Sequence, residues 1–218
     1  MTEDLERRIV LVRHGETVGE SSIRFHGSTD VALSDVGRRQ IGALADRLCD
    51  DVFHAVVHSP LARARESAEI LCAALAFTPE AVEAEPAFRE VDFGANEGLT
   101  AEEIAAARPD WFARWRAGEV DRYPDGESIE GFRRRVAAGF HDACARHPRG
   151  DLLLVVHKGV VKAVLAACLA WTEESLRRFP VELGGTTVLR QSGSRFDLGG
   201  AAGVPARRRD AGRPATDP

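Results

Sequence analysis

Two histidines in this sequence stand directly after short apolar runs, and one of them is preceded by an arginine. Residues 9–12 lead into Arg13 and His14, and the apolar stretch 151–156 leads into His157. Runs of this length and composition are typical of buried strands. A neutral imidazole can attack phosphorus, and a guanidinium can bind two phosphate oxygens through parallel hydrogen bonds. A single histidine at a strand end is usually structural, whereas two of them beside arginines favour phosphoryl chemistry.

A third strand-like segment, residues 53–58, leads into a predicted helix over 60–76. Pro60 suits an early helical position, and Arg63 then lies in the first turn, where free N–H groups and the helix dipole attract anions. Taken alone, Arg63 would be interpreted as a solvated helix charge. Because open α/β sheets bind ligands at the carboxyl ends of their strands, we expect the three segments to supply one site.

The order and spacing of five sequence blocks resemble the histidine phosphatase superfamily, also called the phosphoglycerate mutase-like family. The resemblance extends over about residues 8–190. The blocks are Leu11–Thr17, Arg24–Gln40, Ser59–Ala64, Phe88–Gly98 and His157–Lys162.

The resemblance implies a role for each member of a catalytic set. His14 is expected to attack the phosphoryl group and form a phosphohistidine. An alkoxide leaves poorly, so an acid must protonate it, and Glu90 is the expected donor and later the base that activates water. Asp92 remains the rival acid. The resemblance requires no metal and no cofactor, and three further residues are expected to bind the phosphate: Arg13, Arg63 and His157.

Four positions depart from the family pattern: Glu20, His26, Asn96 and Lys158. Glu20 stands where the family usually has an asparagine that contacts phosphate, and a carboxylate cannot donate a hydrogen bond. Ser21 or Ser22 could supply the missing donor. Lys158 would add a cation at the rim of the pocket if its side chain turned inward. The expected substrate contacts are therefore Thr17, Glu20, Ser22, His26, Gly27 and Lys158.

The favoured function is hydrolysis of small phosphate monoesters. The alternatives are a cofactor-dependent phosphoglycerate mutase, a sugar bisphosphatase and, from another class, a non-catalytic phospho-ligand binder in which Glu20 is a sign of decay. Mutases of this family usually carry a longer insertion between the acid and the second histidine. Here Glu90 and His157 are only 67 positions apart, which favours the phosphatase.

Alternation of strand-like and helical segments predicts a three-layer α/β/α sandwich with a mainly parallel central sheet and a small helical cap. We expect one catalytic domain over residues 1–198, with cap elements within about 79–127. The aromatic patch Trp111, Phe112 and Trp115 is interpreted as packing of that cap in preference to substrate stacking. Residues 199–218 combine Gly, Ala, Pro and Arg without periodic apolar residues and are expected to be disordered.

Composition limits the partners. The chain has 218 residues and a net charge of −5, which argues against general nucleic-acid binding. Its four cysteines lack C-x-x-C spacing and lie in helical patterns, as expected for a reducing compartment. No signal peptide or membrane-spanning run is recognised, so a cytoplasmic location without membrane contact is expected. The expected partner is a small phosphate ester, and homodimer formation is left open.

Overall fold

A computed structural model describes residues 6–19, 23–76 and 78–200. Its strands are β1 (Arg7–Arg13), β2 (Ala55–His58), β3 (Ala81–Ala84), β4 (Leu152–Val156), β5 (Thr186–Ser192) and β6 (Arg195–Gly200). Its α-helices are α1 (Asp35–Leu48), α2 (Ala62–Ala74), α3 (Ala101–Ala107), α4 (Pro109–Ala117), α5 (Ile129–Arg146), α6 (Lys158–Leu169) and α7 (Glu173–Arg178). Short 3-10 turns at Pro86–Phe88 and Gly94–Asn96 connect β3 to the helices that follow.

The strands form one six-stranded sheet in the order β3-β2-β4-β1-β5-β6. The neighbours β3, β2, β4 and β1 are parallel, while β5 and β6 add an antiparallel margin. In the register, Arg13 pairs with Val156, and His58 pairs with Val155. The parallel strands therefore end together, at one edge of the sheet.

A separate apolar core covers each face of the sheet. Alternate residues of β1 divide between them, because successive side chains of a strand point to opposite faces: Ile9 and Leu11 pack with α5 and α6, and Val10 and Val12 pack with α1 and α2. Both faces are buried, which explains why the parallel strands are continuous apolar runs. The predicted three-layer sandwich is confirmed.

The helix predicted over 60–76 forms as α2, which spans Ala62–Ala74. Ser34 caps α1 by accepting a hydrogen bond from the Gly37 N–H, as its residue type predicts. Pro60 is not inside α2, which begins at Ala62, although Arg63 still lies in the first turn. Helix α6 begins at Lys158, directly after His157 at the end of β4.

The carboxyl-terminal region differs from the prediction at its start. Strand β6 pairs with β5, so Gly199 and Gly200 belong to the sheet, and the predicted disordered tail begins two residues too early. The side chain of Phe196 in β6 packs against the core and holds this strand in place. The remainder of the predicted tail lies outside the described residues.

The predicted cap region contains one element of the sheet. Strand β3, at residues 81–84, pairs with β2, so the cap begins only after it. Helices α3 and α4 form the helical part of the cap, and the indole N–H of Trp115 donates to the Tyr123 hydroxyl at 3.3 Å. Trp111 stacks on Trp115, in agreement with the packing interpretation for Trp111, whereas Trp115 also lines the cavity described below. Among the described residues, no helix combines the length and the apolar character that crossing a bilayer requires.

Candidate active site

Three neighbouring parallel strands bring the predicted catalytic residues together. Strand β1 ends before His14, β4 ends before His157, and β2 ends before Ser59 and the start of α2. The rings of the two histidines meet edge to face, with centroids 5.0 Å apart. Residues more than 140 positions apart in sequence are therefore neighbours at one edge of the sheet.

The ring of His14 is held in a defined orientation and tautomer. Its Nδ1 lies 2.7 Å from the Gly15 carbonyl oxygen, and because a carbonyl only accepts, Nδ1 carries the proton. The lone pair is therefore on Nε2. Burial lowers the pKa of His14 well below its usual value, and the nearby charges of Arg63 and Arg13 lower it further. The imidazole is thus neutral and nucleophilic at neutral pH.

One buried arginine, Arg63, and one partly buried arginine, Arg13, lie beside His14. The Nη1 and Nη2 atoms of Arg63 donate to the carbonyl oxygens of Thr29 and Gly27 at 2.8 and 2.6 Å. Burial lowers the pKa of Arg63 to about 10, so the group stays charged at neutral pH. Arg13 donates through Nη1 to the Val181 carbonyl at 2.8 Å, while its Nε is buried without a hydrogen-bond partner among the described residues.

A carboxylate that the sequence analysis did not single out orders the loop around Gly27. Glu97 Oε1 accepts hydrogen bonds from the N–H and hydroxyl of Ser28, and Oε2 accepts from the N–H of Thr29. This loop supplies both carbonyls that hold Arg63. Gly27 has a φ of +53°, and a side chain there would overlap Glu97 and Phe93. Glu97 lies in the Phe88–Gly98 block, but its spacing alone did not indicate this long-range role.

His157 has a different partner from His14. Its Nε2 shares a hydrogen bond with the Ser59 hydroxyl at 2.7 Å, and both side chains are buried. Its Nδ1 is buried without a hydrogen-bond partner among the described residues. Burial lowers the pKa of His157 well below its usual value, as do Arg63 and His14, so the ring is neutral before an anion binds. Ser59 was noted in the sequence only as part of a block.

Glu90 reaches the same site from the segment after β3. Its Oε1 accepts from the Val91 N–H at 3.0 Å, and its Oε2 accepts from the Gly159 N–H at 2.9 Å. A backbone N–H at the start of α6 therefore positions the carboxyl group. Asp92 accepts from the Gly94 N–H in a local turn and does not line the cavity described below.

A cavity of about 1050 Å³ opens over Arg13, His14, Arg63 and Glu90, whereas His157 is not part of its lining. Phe25, Phe93, Trp115 and Phe132 give it an apolar wall. Seven of the predicted catalytic and substrate-contacting residues line it: Arg13, His14, His26, Gly27, Arg63, Glu90 and Lys158. Such a chamber accommodates an organic group larger than the phosphate itself.

The predicted substrate contacts His26 and Thr17 differ in their positions relative to the cavity. His26 donates through Nε2 to the Gly19 carbonyl at 2.9 Å, so it fixes the preceding loop as well as lining the cavity. Burial lowers its pKa. Thr17 is buried outside the cavity lining, and its hydroxyl has no hydrogen-bond partner among the described residues. Glu20, Ser21 and Ser22 lie outside the described residues, so their expected contacts stay predictions.

The assembled groups are suited to an anionic, tetrahedral ligand. Two guanidinium groups and a neutral imidazole surround the position that such a ligand would occupy, and a carboxyl group approaches the same cavity. Charge neutralisation of this kind is what a phosphate monoester dianion needs before a nucleophile can approach phosphorus.

Comparison with known proteins agrees with this geometry. The family model described as histidine phosphatase superfamily (branch 1) matches residues 9–201. A bifunctional protein of Mycobacterium tuberculosis is 34% identical over 182 residues, which cover 83% of this chain and 49% of that protein. This chain thus spans about half the length of that relative.

Two further relatives resemble this chain over more of their own length. A probable phosphoglycerate mutase of Yersinia enterocolitica is 31% identical over 163 residues, or 74% of each chain. The crystal structure of a mycobacterial glucosyl-3-phosphoglycerate phosphatase superposes with a TM-score of 0.76 at 27% identity, covering 89% of this chain and 97% of the other.

Proposed function

Because this chain belongs to branch 1 of the histidine phosphatase superfamily, we propose that it is a metal-independent phosphomonoesterase acting on small phosphorylated metabolites. The observation that carries the proposal is the tautomer of His14. Its Nδ1–H is committed to the Gly15 carbonyl, which leaves the Nε2 lone pair beside Arg13 and Arg63.

In the proposed first step, Nε2 of His14 attacks phosphorus in line with the departing oxygen. The P–N bond forms as the P–O bond to the organic group breaks, and protonated Glu90 gives its proton to that oxygen. Arg13 and Arg63 neutralise the charge on the phosphoryl oxygens, and His157 adds a donor when the bound anion favours its protonated form.

The second step returns the enzyme to its starting state. The Glu90 carboxylate takes a proton from a water molecule, whose oxygen attacks the phosphohistidine. The P–N bond breaks, inorganic phosphate is released, and the electron pair returns to Nε2 of His14. The residues that face the anion are cations or neutral donors, a set that binds phosphate without a metal bridge.

A trapping experiment tests this function. During turnover of p-nitrophenyl phosphate, acid-labile and base-stable phosphate should be recovered on the wild-type protein after alkaline quenching, and EDTA should not lower the rate. His14→Ala should lose both the label and turnover. His54→Ala is the matched control, because His54 precedes β2 at the opposite end of the sheet and pairs with Glu80. Near-normal turnover by His14→Ala would contradict the proposal.

A mutase is the second candidate, because one relative of similar length is named as a probable phosphoglycerate mutase. A mutase must keep water away from the phosphohistidine and return the phosphoryl group to the organic product. Adding a bisphosphoglycerate primer to the assay separates the two functions. Release of inorganic phosphate without isomerised product supports the phosphatase, and primer-dependent isomerisation supports the mutase.

A further inference from the structure

The two lysines of this chain occupy one wall of the active-site cavity. Of 29 lysine and arginine residues, only Lys158 and Lys162 are lysines. They lie one turn apart on α6, directly after His157. Both line the large cavity, and both also line a neighbouring cavity of about 520 Å³, together with Arg13 and Arg177. These cations therefore form a shared wall between the two spaces.

The shared cations have no carboxylate ion pair among the described residues. Lys158 is exposed, and its ammonium group makes no hydrogen bond to the described residues. Lys162 donates only to the backbone carbonyl of Arg177, at 3.1 Å, and Arg177 donates to the backbone carbonyl of Arg116, at 3.0 Å. These two bonds fix the positions of the side chains and leave their charges uncompensated by contact.

Two of the nearby carboxylates are already committed. Among the described residues, eight cationic side chains line the large cavity against four carboxylates. Of these four, Glu90 accepts two backbone N–H groups and Glu173 pairs with Arg133 at 2.6 Å. Glu16 and Glu182 line the small cavity, where five cationic side chains face them. The wall thus keeps an excess of positive charge within a chain whose net charge is −5.

The closeness of these cations also affects the pKa values of the two lysines. Loss of hydration lowers the pKa of Lys162, and the charges of Lys158 and Arg13 lower it further. Loss of hydration and Arg13 lower the pKa of Lys158, although Glu182 and Glu90 oppose the effect. Like charges held together without counter-ions destabilise the free protein, and an anion placed between them would relieve that repulsion.

We propose that Lys158, Lys162 and Arg177 form a subsite for a second oxyanion, a carboxylate or a second phosphate, carried by the organic part of the substrate. The inference rests on the proposed phosphatase function, because it assigns the substrate class of that same site. The three cations lie on α6 and α7 and line both cavities together with Arg13.

Helix geometry gives the spacing of the two lysines along the cavity wall. Lys158 follows His157 directly, and Lys162 lies four residues farther, about 6 Å along the helix axis at 1.5 Å per residue. A flexible chain of six carbon atoms extends about 8 Å, since successive atoms of an extended chain advance about 1.3 Å in the way that backbone atoms do, so it is longer than the interval between the two lysines.

Matched esters test the subsite by kinetics. Hexyl phosphate has no second anion, 6-phosphooxyhexanoate has a carboxylate, and hexane-1,6-diol bisphosphate has a second phosphate. We expect kcat/KM to be about tenfold higher for one or both anionic esters, the value of one charge-assisted hydrogen bond. Lys162→Gln should remove most of that preference, chiefly through KM, and Lys162→Arg should restore it.

Arg134→Gln is the matched control, because it removes one positive charge from an exposed side chain of α5 outside both cavities. It should leave the preference unchanged. Hydrolysis of hexyl phosphate without a preference for either anionic ester would overturn the subsite while leaving the phosphatase proposal intact. No hydrolysis of any ester, p-nitrophenyl phosphate included, would overturn the phosphatase proposal.

Selective acylation tests the subsite without turnover. Because the chain has two lysines, acetylation at low reagent concentration followed by peptide mass spectrometry reports on Lys158 and Lys162 individually. Hexane-1,6-diol bisphosphate should slow acetylation of Lys162 severalfold in the His14→Ala protein, whereas inorganic phosphate at the same concentration should protect it less. Equal acetylation of Lys162 with and without the bisphosphate would overturn the inference.

Discussion

The two histidines at the strand ends share a neighbourhood but differ in their hydrogen bonds. Nδ1 of His14 bonds to its own backbone neighbour, whereas Nε2 of His157 bonds to the Ser59 hydroxyl. In both, burial keeps the ring neutral in the free protein. Of these two histidines, only His14 has an Nε2 without a hydrogen-bond partner in the described part of the chain, so the hydrogen-bond pattern distinguishes the proposed nucleophile from the proposed phosphate ligand.

A prediction at this scale concerns the proton donor. Glu90→Gln keeps an oxygen that can accept from the Gly159 N–H but cannot transfer a proton. We expect kcat on alkyl phosphates to fall by about 10²–10⁴-fold, with a much smaller effect on phosphorylation by p-nitrophenyl phosphate, whose leaving group hardly needs a proton. Steady-state and burst kinetics on both substrates measure this. Asp92→Asn is the control, and a selective loss in that variant would instead make Asp92 the acid.

Glu20 carries a second prediction, argued from residue type because it lies outside the described residues. Replacing it with asparagine would restore a donor and remove a repulsion of about 1 kcal/mol from a bound phosphate. We expect Glu20→Asn to lower KM for simple phosphate esters severalfold with little change in kcat. The gain should shrink in high salt if the carboxylate is exposed. An unchanged KM would mean that Glu20 does not face the phosphate.

At the scale of elements, α6 connects several parts of the site. It begins directly after His157, its second residue donates a backbone N–H to Glu90, and both of its lysines line the cavities. The position of the proposed acid therefore depends on the backbone of a helix from a different part of the chain. A small displacement at the start of α6 would move the carboxyl and leave the nucleophile in place.

Gly159 gives a direct test of that dependence. A methyl group there would overlap Oε1 of Glu90, so Gly159→Ala must displace the carboxyl. Since misplacing a catalytic group by about 1 Å can cost 10²-fold, we expect kcat on alkyl phosphates to fall by about that factor. Gly42→Ala, in α1, has open space for its methyl group and should leave kcat unchanged. Equal kcat for both variants would show that Glu90 tolerates displacement.

At the scale of the whole molecule, the fold buries neutral histidines among arginines. Burial first, and then the arginine charges, lower the pKa of His14 and His157 below their usual value of about 6.5. The unfolded chain therefore binds protons more readily than the folded protein as the pH falls below that value. By linkage, folding stability is fully present above about pH 6.5 and is lost as the pH decreases toward the folded-state pKa values.

Thermal unfolding followed by circular dichroism checks this sign. We expect Tm to fall between pH 7 and pH 5, with each histidine costing about 1.4 kcal/mol per pH unit while the folded ring stays neutral. His14→Asn removes one of these proton acceptors and should flatten the dependence. Parallel Tm curves for the wild type and this variant would contradict the account.

The sequence by itself determined which residues could meet. Apolar runs of strand length ended at Arg13, His14 and His157. The five blocks predicted the family, and the alternation of strand-like and helical segments predicted the sandwich and the helix that carries Arg63. These features could be predicted because apolar patterning and strand direction are local properties, and because parallel strands end at one edge of a sheet. Seven of the predicted catalytic and substrate-contacting residues line the cavity.

Tertiary structure alone decided how those residues are held. The bonds from Ser59 to His157, from Gly159 to Glu90 and from Glu97 to the loop around Gly27 join segments distant in sequence. Strand β6 was not predicted, because its Gly-rich composition is not typical of a strand. Its pairing with β5 and the packing of Phe196 stabilise it despite that composition. Hydrogen-bond partners, burial and the crowding of charge depend on distances between chain segments, and one-dimensional spacing does not contain those distances.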